Sequence, residues 1–136
     1  MKPVSAFDKV AEDAPALDRA EQLQEAAASV GFDWPDVAAV WEKVREEIAE
    51  LDEALASDQR SEIQDELGDV LFALVNLVRK AGLDPAVALE STNRKFVRRF
   101  QAMERAAWAE GSDLSQESLE RQLLRYRQAK AECLDH

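Results

Sequence analysis

Four acidic residues stand at spacings that could hold a divalent cation. Glu47 and Glu50 are three residues apart in one apolar-periodic segment, and Glu66 and Asp69 are three apart in the next. On a helix such pairs share a face and lie about one turn apart. A short polar connection, Ser57-Asp58-Gln59-Arg60, joins the two segments, and the pairs Glu47/Asp69 and Glu50/Glu66 are both centred on position 58. An antiparallel hairpin turning there sets each acid level with an acid across the seam. At 100° per residue, Glu47 lies about 60° from the centre of its apolar stripe and Glu66 about 100° from its own, so both flank the seam. Helix axes packed ~8–10 Å apart let four such carboxylates converge on one cation-sized space. Without a cation the arrangement is like-charge repulsion in a partly desolvated place. A single Glu-x-x-Glu among 28 acidic residues reads most simply as a solvated helix face. Two of them in mirror register beside an apolar seam raise a metal site to even terms with that reading.

The donor set restricts the metal. The chain has one cysteine, Cys133, and one histidine, His136, both at the C-terminal end. One cysteine excludes an intrachain disulfide and a thiolate zinc cluster, and one histidine, at the terminus, makes a buried Ser-His-Asp triad and a His-Glu-x-x-His helix implausible. Oxygen-only ligands suit Mg²⁺ or Mn²⁺, and Mg²⁺ that keeps several waters also holds substrate phosphates. Glu46, one residue before Glu47, is placed to orient or deprotonate a water at the edge of such a site.

Two further features bear on a substrate. Asn93 falls on the apolar stripe of a later segment, where a buried amide must find a partner: a helix–helix hydrogen bond or a metal-bound phosphate. Lys95, Arg98 and Arg99 form a basic cluster, either offsetting nearby glutamates or, through Lys95 and Arg99 one turn apart, clamping polyphosphate. Trp34 sits in a connector where an aromatic residue is usually core and less often a stacking platform; Tyr126 and Lys130 are one turn apart near the C-terminus.

The elements that must position these residues are helices. Residues 1–13 have no clear period and read as an N-terminal arm, with residues 14–136 a single domain. A first helix is predicted over 14–30, with Pro15 in its first turn and Gly31 beyond its end. Pro35 opens a second, whose stripe runs Val37, Val40, Trp41, Val44, Ile48, Leu51 and Leu55. Ser61 and Gln64 fit a capping box for a third helix running to Gly82, apolar on most sides and so expected to be the most buried. Asp84-Pro85 starts a fourth, with the stripe Ala86, Leu89, Asn93, Phe96, Phe100, Met103 and Ala107, closed by Gly111. Ser115 is the expected cap of a fifth segment reaching about Cys133. The fold class is therefore all-α, an antiparallel bundle of about five helices. Its stripes exceed what one small bundle hides, so a homodimer, or a tetramer, is expected to complete the core.

Bulk composition excludes other classes. The 136 residues carry a formal net charge of −11, which repels a nucleic-acid backbone. The apolar stretch Val70–Val75 is far short of the ~20 residues of a spanning helix, and the N-terminal residues hold no signal-like stretch, so a cytoplasmic protein without membrane or nucleic-acid partners is expected.

The segments Val44-Arg-Glu-Glu-Ile-Ala-Glu50, Asp65-Glu-Leu-Gly-Asp-Val-Leu-Phe-Ala-Leu-Val-Asn-Leu77 and Asn93-Arg-Lys-Phe-Val-Arg-Arg-Phe100 closely resemble the MazG nucleoside triphosphate pyrophosphohydrolases. Pro15-Ala-Leu-Asp-Arg-Ala20 and Gly31-Phe-Asp-Trp34 look like the lead-in to the C-terminal domain of two-domain MazG proteins. The resemblance implies an all-α fold with a core shared by two subunits, and Mg²⁺-dependent cleavage of NTP or dNTP to the monophosphate and pyrophosphate, a nucleotide-pool housecleaning activity. It places the metal ligands at Glu47, Glu50, Glu66 and Asp69, and water handling at Glu46 or Glu47. It also places nucleotide and phosphate contacts at Asn93, Lys95 and Arg99, and a C-terminal aromatic and lysine at Tyr126 and Lys130, Tyr126 standing where the family pattern has Trp. Tyr126 and Trp34 are the two candidate faces for the base. A noncatalytic helical dimerisation module is the competing class; it requires the acids to face solvent and nucleotides to remain intact.

Overall fold

The computed structural model describes residues 3–132. The expected end of the last helix at Cys133, and His136, lie outside the described residues. The described chain is all-helical, with no strand: α1 Ala16–Ser29, α2 Val37–Ser57, α3 Arg60–Lys80, α4 Pro85–Ala109, a single 3₁₀ turn Leu114–Gln116, and α5 Leu119–Glu132. Contacts divide it into two compact units, one up to Val87 and one from Ala88.

In the first unit α2 and α3 form the antiparallel hairpin, and α1 packs on α3. The turn is shorter than the sequence suggests, because α3 starts at Arg60 and only Asp58 and Gln59 separate the helices. Asp58 makes this possible by taking the left-handed conformation, φ 58°, which Asp tolerates better than most residues. The Ser57 hydroxyl accepts from Gln59 N–H at 3.3 Å and its one proton faces Ala54 C=O at 2.7 Å and Glu62 at 3.0 Å, so Ser57 organises this end and Ser61 lies inside the helix as a noncapping residue. Pro35 likewise lies outside α2, one residue before its cap Asp36, which accepts from Ala39 N–H at 2.8 Å.

Helix ends marked by Gly behave as read. After α3, Gly82 at φ 77° lets Leu83 N–H reach Val78 C=O at 3.1 Å and Gly82 N–H reach Arg79 C=O at 3.0 Å, the paired bonds of a Schellman closure. Asp84 then accepts from the N–H groups of Ala86 and Val87 at 2.9 and 3.2 Å, capping α4 as expected.

The core of this unit is Val40, Val44 and Ala73, with Trp34 and Leu77 packed beside them. The expectation of a deeply buried α3 is corrected: Ala73 and Val75 are buried, but Leu67, Leu71, Phe72 and Leu74 are exposed, Leu71 by 64%. A helix apolar on most sides needs neighbours on most sides, and in this unit α3 has α1 and α2.

In the second unit Met103, Ala107, Leu114 and Ala129 form the core, with Ala102 and Tyr126 against it. The predicted stripe of α4 is buried only in this half; Leu89, Phe96 and Phe100 are exposed, and so is Asn93. Asp113, not Ser115, caps the turn after Gly111, accepting from Ser115 N–H at 2.9 Å, and Ser118 serves α5 by accepting from Arg121 N–H at 3.1 Å. Arg125, only 3% exposed, makes a two-pronged contact to Glu117 at 2.7 and 2.8 Å and reaches Glu110 at 2.6 Å. A buried cation with two carboxylates is satisfied; the same cation with its partners protonated is not.

Two stability predictions follow from these contacts. Asp84→Ala removes both capping bonds of α4 and is expected to cost about 1 kcal/mol, measurable by urea unfolding. The hydrogen bonds from Arg125 hold the Glu117 carboxyl at about 2 against an ordinary 4.5. A depressed carboxylate contributes stability in full above the unfolded value and loses it as pH falls through the folded one. The melting temperature is therefore expected to fall between pH 4.5 and 2, and Arg125→Met is expected to lower it at neutral pH and flatten that slope.

Candidate metal site

The two-residue turn at Asp58 fixes the register of the hairpin, and with it the acids. Glu47 on α2 and Glu66 and Asp69 on α3 each offer a carboxylate oxygen, and the three oxygens lie within 4.8 Å of one another. Glu47 is buried, 6% exposed; Glu66 is half-buried and Asp69 exposed. Glu50, the fourth predicted ligand, is outside this trio and exposed, within hydrogen-bonding reach of Glu47. Seven percent exposure of the Glu47 side chain is tolerable because Lys43, one turn earlier on α2, pairs with it at 2.8 Å.

The acids are electrostatically unequal. Lys43, by hydrogen bond and by charge, holds Glu47 below the usual carboxylate range. Burial and the negative charges of Glu50, Asp69 and Glu47 push Glu66 up. Of the two facing carboxyls, Glu66 is therefore the one that takes up a proton more readily. One oxygen of each, Oε2 in both cases, is buried with no hydrogen-bond partner among the described residues. Buried polar atoms are nearly always partnered, and two orphaned carboxylate oxygens from facing helices fit a divalent cation. The donor set is oxygen only, as Mg²⁺ or Mn²⁺ requires.

Glu46 is exposed beside the trio, 3.8 Å from Lys43. Trp34 is half-buried at the edge of the core, as its position in a connector predicts. The other predicted residues lie in the second unit. Asn93 is exposed and donates to Glu90 at 3.4 Å, correcting its placement in a core: the stripe continues through it, but this half of α4 is not covered. Lys95 and Arg99 are half-buried. Arg99 donates to the Tyr126 hydroxyl at 3.4 Å, and Tyr126 packs on the Met103 and Ala107 cluster; Lys130 is exposed.

Sequence reasoning missed Lys43, whose signal was present as a lysine one turn before Glu47. It also missed Asp33, which receives Arg79 at 2.6 Å and Lys80 at 3.2 Å and is held far below its usual range chiefly by the Arg79 hydrogen bond. Contacts between residues 46 and 47 positions apart carry no local pattern.

The MazG nucleotide pyrophosphohydrolase domain model matches residues 36–103, which contain all four acids and Asn93, Lys95 and Arg99. A Thermotoga maritima protein named nucleoside triphosphate pyrophosphohydrolase/pyrophosphatase MazG is 46% identical over 107 residues, 79% of this chain and 41% of its own length. An Escherichia coli K12 protein named nucleoside triphosphate pyrophosphohydrolase is 38% identical over 133 residues, 96% of this chain and 51% of its own. The chain thus spans about half the length, or less, of these curated relatives. With the family model spanning half of its residues over the helices that carry the acidic trio, the chain belongs to the MazG nucleotide pyrophosphohydrolase domain family.

Proposed function

We propose that this chain is a Mg²⁺-dependent nucleoside triphosphate pyrophosphohydrolase, with Mn²⁺ able to substitute, converting NTP or dNTP to the monophosphate and pyrophosphate. The observation that carries it is the trio Glu47, Glu66 and Asp69 with two buried, unpartnered carboxylate oxygens. The printed names of the relatives, both nucleoside triphosphate pyrophosphohydrolases, support the substrate class.

Glu47, Glu66 and Asp69 hold the cation, with Glu50 completing the set from one turn along α2. When bound there, the cation would supply positive charge against the phosphates and would make a water at the site easier to deprotonate. Glu47, kept anionic by Lys43, serves better as ligand than as base. Glu46, exposed and adjacent, takes the proton of the attacking water, with Glu47 the other acid able to do so. The water oxygen bonds to the α-phosphorus as the bond to the α–β bridging oxygen breaks, and pyrophosphate leaves with that electron pair. Asn93, Lys95, Arg99 and Lys130 are assigned to phosphate and nucleotide contacts, and Trp34 and Tyr126 to the base.

We further propose a cytoplasmic housecleaning role and a single functional domain at 14–136 behind the arm 1–13. A homodimer, with a tetramer its extension, is supported by the exposed apolar residues of α3 and α4, including Leu67, Leu71 and Phe96. The same residues would serve a noncatalytic dimerisation module, which would bind no Mg²⁺ and leave nucleotides intact.

Incubating the protein with NTPs and dNTPs, with Mg²⁺ or with EDTA, and identifying products is the test. Monophosphate plus pyrophosphate, lost in EDTA, is expected; diphosphate plus orthophosphate, or no turnover by folded protein, overturns the proposal. Glu50→Gln and Asp69→Asn are each expected to lower kcat by at least about 100-fold with the helical circular dichroism unchanged. Glu66→Gln, which removes a crowded acid, is expected to raise the metal-free melting temperature while abolishing turnover. Light scattering is expected to give at least a dimer; a compact monomer contradicts that part.

A further inference from the structure

The second unit buries a cation and leaves leucines in water. Arg125 on α5 is 3% exposed, while Leu119 and Leu123 of the same helix are 68% and 47% exposed. At 100° per residue these leucines lie about 120° and 160° round the helix from Arg125. Apolar burial within this unit alone favours the opposite rotation of α5, with leucine inward and arginine in water. The core beneath the helix does little to choose between the two. Besides Met103 and Leu114 it consists of Ala107 and Ala129, and a methyl group lets two helices approach without fixing how one turns about its axis.

Polar contacts make the choice. Nε and Nη2 of Arg125 grip the two carboxylate oxygens of Glu117 at 2.7 and 2.8 Å, and Nη2 also donates to Glu110 at 2.6 Å. Glu117 accepts in addition from the Ser112 hydroxyl at 2.8 Å, Arg121 donates to Glu110 at 3.1 Å, and Gln122 Nε2 donates to Leu114 C=O at 2.8 Å. Arg121, Gln122 and Arg125 thus tie α5 to the connection that leads into it from α4. Unlike an apolar contact, a two-pronged guanidinium–carboxylate pair has a direction. Turning α5 away from it would leave the Glu117 side chain, 8% exposed, without its cation.

The rotation that Arg125 holds also sets the neighbouring face of α5. Tyr126 and Lys130 follow the buried Arg125 and Ala129 by one residue each, about 100° round the helix. There Tyr126 packs against the core, and its hydroxyl accepts from Arg99 Nη1 at 3.4 Å. On α4 Arg99 is one turn from Lys95, and both are half-buried. The residues assigned to nucleotide contacts on the two helices therefore meet at the Arg99–Tyr126 pair, and they meet there only in this rotation of α5.

We propose that Arg125 is a positioning residue of the nucleotide site: through Glu117 and Glu110 it holds α5 in the rotation that sets Tyr126 and Lys130 beside Arg99. This role rests on the pyrophosphohydrolase reading for the ligand, and the test separates the two. Tyr126 is the one tyrosine of the chain, so isotope labelling of tyrosine gives a single ring signal to follow by nuclear magnetic resonance. Glu117→Leu combined with Arg125→Met replaces the buried pair by apolar side chains and is expected to keep the melting temperature close to that of wild-type protein. The same double variant is expected to shift or split the tyrosine signal and to weaken binding of the α,β-methylene analogues of the NTPs, titrated with Mg²⁺, by at least about tenfold. Arg125→Lys, which keeps the charge but not the two-pronged grip, is expected to do likewise, and it decides the matter if the apolar pair does not fold. A merely stabilising network would have its binding restored together with its melting temperature. Wild-type affinity in the folded variant overturns the positioning role wherever the tyrosine signal lies, and so does weakened binding with that signal unmoved. Wild-type protein that binds an analogue but leaves NTPs intact overturns the reaction, while the variants still decide the role of Arg125; wild-type protein that binds no analogue overturns both.

Discussion

The αL turn at Asp58 is the constraint on which the site depends. It joins α2 and α3 with two residues, so the hairpin has no slack, and its register fixes which acids meet. One carboxylate oxygen each of Glu47, Glu66 and Asp69 comes within 4.8 Å of the others because their places on α2 and α3 are counted from that turn. A slip of one residue would rotate each acid by about 100° on its helix and disperse the trio. The buried contacts of Val40, Val44 and Ala73 lock the same register further along the seam from the turn.

Charge then divides the labour among the acids. Three carboxylates at this distance could not all be ionised in a half-buried place without a counter-charge. Lys43 supplies one to Glu47 alone, and Glu66 carries the remaining strain, with an orphaned oxygen on each. The site is thus built to gain more from a divalent cation than a solvated acidic face would, and this separates it from the many other glutamates of a chain with net charge −11.

Much of this was legible because it is local or periodic. The mirror spacing of the acids about position 58 located the turn, though Glu50 stays outside the trio of Glu47, Glu66 and Asp69, and Gly82 with Asp84-Pro85 located the break between α3 and α4. Capping was less legible where several candidates crowd together: Ser57, Asp58, Gln59 and Ser61 all suit a helix boundary, and tertiary register, not side-chain preference, selected among them. Burial was misjudged where a period was sound but its cover was not supplied, as at Asn93 and along Leu67 and Leu71. A stripe states which residues share a face, and nothing about whether that face has a neighbour. The salt bridge from Arg79 to Asp33 and the orphaned amide oxygen of Gln24 depend on contacts between distant parts of the chain, and no spacing announces them.

The central claim is that the acids facing each other across the α2–α3 seam form a divalent cation site. Mn²⁺ binding followed by electron paramagnetic resonance, in wild-type protein and in Asp69→Asn, tests it without requiring a substrate. The account predicts saturable Mn²⁺ binding to every chain, competed by Mg²⁺ and lost in the variant although the protein stays folded. Equal Mn²⁺ binding by the two proteins would place the metal elsewhere on this acidic surface and contradict it.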